Sequence, residues 1–130
     1  MKTLLPPGWP RPSGFANGVS AKGRVVLTAG VVGWNAREQF ESDDLAGQLG
    51  QILVNTLAIL AEDGAGPEHI VRMTWYVTDI AEYRSSLKEI GTIYRALIGK
   101  HFPAMAVVGV TALVEPKAKI EIETIAVVPD

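Results

Sequence analysis

Apolar residues recur along this chain with two distinct periods, and the switches between them divide it into elements. Between Ser42 and Gly66, Leu45, Leu49, Ile52, Leu53, Leu57 and Leu60 fall at three- and four-residue spacing, the stripe of an amphipathic helix. Ser42 or Asp43 stands where such a helix is capped, and acids in the first turn favour its dipole. Gly64 or Gly66 stands where it stops. From Val71 the period falls to two. Val71, Met73, Trp75 and Val77 alternate with Arg72, Thr74, Tyr76 and Thr78, which predicts a strand with one greasy face. Asp79 then caps a second helix whose stripe runs through Tyr83, Leu87, Ile90, Tyr94 and Leu97 until Gly99 closes it.

Upstream, Ala16–Val19 and Arg24–Ala29 read as a β-hairpin turned by "SAKG", and an extended piece from Val31 to Trp34 leads into a polar loop. Downstream, strands Ala104–Val114 and Lys119–Val128 flank "VEPKA", with Pro116 where a type I turn favours proline. The order ββ(β)αβαββ predicts one α+β domain over residues 1–130, with two helices on one face of a single mixed sheet. On the last strand Ile120, Ile122 and Ala126 suit the core, while Glu121 and Glu123 share the other side with Ile125 and Val127. On the strand before it, Ala106, Val108 and Val110 are assigned to the core, which leaves Met105, Val107, Gly109 and Thr111 on the open face. An open face that mixes acids with large apolar groups predicts a homo-oligomer whose sheets meet.

Composition narrows the chemistry. Hydrophobic residues make up 48% and charged residues 20%, within the globular range. Twelve basic against fourteen acidic side chains give a net charge of -2, with no basic cluster to grip nucleic acid. No cysteine is present and only His69 and His101 are available, so neither thiol catalysis nor a histidine-rich metal site is expected. The opening "MKTLLPPGWPRPSG" lacks the apolar core of a signal peptide, and no stretch is long enough for a membrane span. The expected compartment is the cytoplasm.

"FPAM" at Phe102–Met105 and "AKIEIETIAVVP" at Ala118–Pro129 resemble the C-terminal signature of the Rid/YjgF family, the reactive-intermediate deaminases. "LTAG" followed by "GWN", Gln48 and Asn55, "VRMTWYVTD" and Tyr94 extend the resemblance over nearly the whole chain. It implies a chorismate-mutase-like homotrimer whose three sheets close a barrel, with small-molecule clefts between subunits and no cofactor or metal. In the deaminating branch an arginine after Pro-Ala grips the carboxylate of an amino-acid-derived enamine or imine. A glutamate of the last strand positions the water that hydrolyses it. Glu121 matches that glutamate, with Glu123 a weaker second choice. The arginine position is Met105.

Other positions depart from that pattern as well. The family's tyrosine in the N-terminal segment falls on Phe15, its serine beside Gly30 on Ala29, and the asparagine three residues before the helix tyrosine on Gly91. Four polar contacts are replaced together. With Phe15, Trp34, Ala29, Gly30, Gly91, Met105 and Val107 as candidate ligand contacts, the resemblance points to a larger or more apolar ligand than the small imino acids. Arg72, Arg24 and His101 are the candidates to replace the missing cation. The reading is a trimer that hydrolyses an atypical, more apolar enamine or imine through Glu121. The alternative is a non-catalytic small-molecule-binding or chaperone-like trimer. Ribonuclease activity, sometimes attributed to the family, fits poorly with the acidic balance.

Overall fold

A computed structural model describes all residues, Met1–Asp130. Its strands are β1 (Lys2–Leu4), β2 (Gly18–Ser20), β3 (Arg24–Leu27), β4 (Val31–Val32), β5 (Ile70–Val77), β6 (Ala104–Gly109) and β7 (Ile120–Val128). Its helices are α1 (Leu45–Ala61), α2 (Ile80–Ser85) and α3 (Leu87–Leu97). The main sheet runs β3-β7-β5-β6, with β4 also on β7, and β1 and β2 form a separate two-stranded ribbon. The fold is α+β with a mixed sheet, as the periodicity predicts.

Long-range pairing departs from the sequence reading in two places. The segment 16–19 does not pair with 24–29; β2 pairs with β1, and β3 pairs with β7. Nor are the last two strands neighbours. β5 lies between them, antiparallel to β7 and parallel to β6, so α2 and α3 form the crossover that a parallel pair requires. Strand β6 also ends at Gly109 rather than Val114, and "VEPKA" belongs to a connection that recrosses β5.

The helices follow their stripes. Leu45, Leu49, Ile52, Leu53 and Leu60 are buried against Met73, Trp75 and Val77 of β5 and Ile120, Ile122 and Ala126 of β7. A bulge between Ile70 and Arg72 shifts the start of β5, so Ile70 takes the buried phase that the alternation assigned to Val71. Gly64 ends α1 at φ +73°, and Gly99 closes α3 at φ +84°. Asp79 caps α2 through the Glu82 amide at 3.0 Å.

The cap of α1 differs from expectation. Asp44 occupies the position, but its carboxylate accepts the Ser42 hydroxyl at 2.5 Å, a bond that holds its pKa below the usual carboxylate range. Instead, Glu82 of α2 accepts the Leu45 amide at 2.8 Å and Lys119 Nζ at 3.0 Å. The second helix is broken at Ser86. Ser85 Oγ donates to the Glu82 carbonyl at 3.0 Å, a local alternative to continuing the helix.

Tyr94, buried on α3, donates its hydroxyl to the His101 carbonyl at 2.7 Å, and burial pushes its pKa above the ordinary 10.0. A phenol whose folded pKa is raised contributes stability that is intact below its unfolded value and lost as pH rises past it. Tyr94→Phe is therefore expected to cost about 1 kcal/mol near neutral pH and to flatten the alkaline arm above pH about 10. Urea unfolding across pH measures both. An unchanged alkaline arm would assign that loss of stability to other groups.

Candidate functional site

The register of β5 and β6 decides where the candidate residues face. Met105 lies beside Met73 and Val107 beside Trp75, both buried on the helix side. Met105 and Val107 therefore point under α3, not onto the open face, and Ala106 and Val108 align with the polar Thr74 and Tyr76. The sequence reading had this parity reversed. Packing explains the outcome: the longer side chains fill space beside Trp75 and Tyr94, while Gly109 leaves room for Ile80, whose Cγ1 is 2.8 Å from where a Cβ would sit.

Between α3 and strands β5 and β6 lies an open-mouthed cavity of about 570 Å³, and nine of its thirteen lining residues are hydrophobic. Met105 and Val107 form its floor beside Trp75; Gly91 and Tyr94 line it from α3. Phe15 covers one side, held there because the Ala16 amide donates to the Pro103 carbonyl at 2.9 Å at the start of β6. The aromatic wall is ordered. Tyr94 stacks on Phe102 with centroids 5.9 Å apart, and Trp75 meets Tyr83 edge-on at 6.5 Å. A concave apolar space of this size suits a small organic ligand.

Glu121 is on the other face of the sheet. It pairs in register with Val32 and Tyr76, and its carboxylate lies so close to Gly30 that any side chain there would overlap it. The neighbouring loop exists because β3 and β4 are one edge strand interrupted. Thr28 N–H donates to the Thr124 carbonyl at 2.9 Å, but the Thr124 amide donates to the Thr28 hydroxyl at 3.1 Å. That substitution lets Ala29 and Gly30 leave the ladder, and neither amide makes an intramolecular hydrogen bond. Glu123 is engaged by the Tyr76 hydroxyl at 2.7 Å, which raises the Tyr76 pKa. Glu121, half-buried, has no such partner.

Trp34 belongs to neither group. Its carbonyl accepts from Asn55 at 2.7 Å, and its ring stands 5.9 Å from Phe40 beside a separate hollow lined by Glu115 and Lys117. Within this chain it anchors a loop. No cluster of three His, Cys, Asp or Glu side chains is placed to hold a metal ion.

None of the three candidate cations reaches the Met105 cavity. Arg24 pairs with Asp63, Arg72 is exposed beside the open sheet face, and His101 Nε2–H donates to the Ile70 carbonyl at 2.6 Å. The cation that does line the cavity is Arg95, which the sequence reading missed. Its Nη1 would be 3.1 Å from a Cβ placed on Gly91, one helical turn earlier. The signal that was available is the spacing Gly91-Arg95, which sets a missing side chain beside a long one on the same helix face.

An α+β chain with an uncovered sheet face on one side and a β6-floored cavity on the other defines the structural class. Residues 11–128 match the family described as endoribonuclease L-PSP, and the chain belongs to that family, also known as Rid/YjgF. It is 34% identical over 128 residues to a RutC family protein of Aquifex aeolicus, covering 98% of this chain and 99% of that one. It is 34% identical over 109 residues to the 2-iminobutanoate/2-iminopropanoate deaminase of Escherichia coli K12, covering 81% and 80%. The crystal structure of the Rid family protein YyfB from Yersinia pestis superposes with a TM-score of 0.86, at 32% identity and 98% coverage of each chain. No helix is long and apolar enough to cross a membrane.

Proposed function

We propose that the protein is a cytoplasmic homotrimeric deaminase that hydrolyses 2-imino acids or their enamines carrying large apolar side chains. The observation that carries this reading is the division of the site. Glu121 with Gly30, and Met105 with its cavity, lie on opposite faces of one sheet. In one chain they cannot act on the same molecule. Across a subunit junction they can, and the exposed Val25, Leu27 and Ile125 beside Glu121 supply apolar surface for such a junction. The curated relative from Escherichia coli supports the reaction type.

In the reaction, the Glu121 carboxylate takes a proton from water as its oxygen adds to the imine carbon. The carbinolamine that forms then expels ammonia, with a proton returned to nitrogen, and leaves the 2-oxo acid. Ala29 and Gly30 present free amides next to that carboxylate, donors suited to a substrate oxygen. The hydrophobic lining supports bulky side chains, and the absence of an arginine at Met105 disfavours small substrates, whose carboxylate would supply most of their binding.

Sedimentation and an imine-hydrolysis panel test this together. The expected result is a trimer that consumes imines generated from leucine or phenylalanine faster than those generated from threonine or serine. A stable monomer near 13.9 kDa would remove the site, and faster turnover of the small imines would reverse the substrate assignment.

A further inference from the structure

We propose that Arg95 is the anion anchor of the Met105 cavity, so that its ligand is a carboxylate with an aromatic or bulky apolar body. The inference rests on reading that cavity as a ligand site. An exposed arginine on a helix is ordinarily solvated or paired, and what sets this one apart is its place in the cavity; three observations bear on it.

First, Arg95 has nothing to neutralise it. It makes no ion pair and no side-chain hydrogen bond, and Gly91, Thr92, Ile98 and Gly99 occupy the positions one turn away, where a helix would hold an acidic partner. Second, it lies along the cavity wall over Gly91, in close contact with the space a side chain there would take: a Cβ would be 3.1 Å from Nη1. A side chain at 91 would press on the guanidinium and shift it by a few tenths of an ångström. Third, nine of the thirteen lining residues are hydrophobic and Arg95 is the one charged residue among them, so the cation stands beside a greasy surface that includes Trp75, Tyr83 and Met105. A single charge beside an apolar wall is complementary to an amphipathic acid: the body covers Met105 and the carboxylate meets the planar fork.

The anchor comes from helix α3 instead of strand β6, which moves the ligand's charged end from the cavity floor to its wall. Beneath it, the space an arginine would fill at position 105 is available to the ligand's side chain. Size selection and charge recognition are thereby both properties of the Gly91, Arg95 and Met105 set.

Calorimetry on the intact protein tests the assignment with three probes: phenylpyruvate, 2-oxobutanoate and the neutral phenylacetone. Phenylpyruvate is expected to bind tightest. Arg95→Gln should weaken it about tenfold, abolish most of its salt dependence and leave phenylacetone unchanged. Arg95→Lys should fall between, since it keeps the charge and loses the fork. Met105→Trp, checked for an unchanged thermal transition, should weaken phenylpyruvate and phenylacetone together. Loss of binding in Met105→Trp with Arg95→Gln unaffected would overturn the anchor and keep the cavity as the ligand site. Binding of phenylpyruvate that neither substitution alters, or no binding to the unmodified protein, would overturn both.

Discussion

Replacing Gln48 with leucine is expected to lower folding stability by about 3 kcal/mol, although the volume hardly changes. Gln48 is fully buried on α1, and its amide is used at both ends. Nε2 donates to the Ser42 carbonyl at 3.1 Å and the Lys117 carbonyl at 2.9 Å, while Oε1 accepts the Lys119 amide at 2.8 Å. Leucine leaves those three backbone groups without partners, and each unpaired group costs roughly 1–3 kcal/mol, offset in part by the added apolar burial. Against a typical total of about 5–15 kcal/mol the loss is large. Urea unfolding should show a lower midpoint with an unchanged slope. A change below about 0.5 kcal/mol would mean that water or a shifted 110–119 connection takes over all three bonds.

Glu121→Gln is expected to reduce imine hydrolysis by about a hundredfold or more while leaving affinity for the 2-oxo acid product nearly unchanged. The amide is the same size as the carboxylate and still fits beside Gly30, but it has no basic oxygen to take the proton from water. Equivalent loss in Glu123→Gln would not be expected, because that carboxylate already holds the Tyr76 hydroxyl. Mixing supplies the sharper check. Glu121→Gln chains and Met105→Trp chains, dissociated and reassembled together, should recover activity above either parent, since one intact junction needs one half from each. If the mixture is no more active than its components, the two halves do not meet between subunits.

The features legible in the sequence are the local ones. The Leu45–Leu60 stripe, the Asp79 cap and the Gly64 and Gly99 stops each depend on residues within a few positions, and all appear in the structure. The face of Glu121 and Glu123 was legible too, because Ile120 and Ile122 fix its parity unaided. Strand adjacency is another kind of quantity. "VEPKA" has good turn chemistry, yet β5 intervenes between the strands it joins, and pairing across the intervening chain leaves no local trace. Met105 shows the cost: its face was assigned from the small apolar set Ala106, Val108 and Val110 alone, whereas its neighbour across the ladder is the buried Met73. The α1 amide held by Glu82 was illegible for the same reason, since cap and helix lie 37 residues apart. Arg95 was overlooked because an exposed helical arginine is ordinary until the cavity beside it is known.

The sheet that separates Glu121 from Met105 also separates their surroundings. Met105 packs with residues of the helix layer, and Glu121 with Gly30 and Tyr76 on the far face, so the two have no immediate neighbour in common. Substitutions in groups without shared partners tend to act independently. Replacing a cavity residue is therefore expected to leave the surroundings of Glu121 in the same chain undisturbed. The four positions at which this chain departs from the deaminating pattern fall on both faces, three in or beside the cavity and one, Ala29, next to the carboxylate.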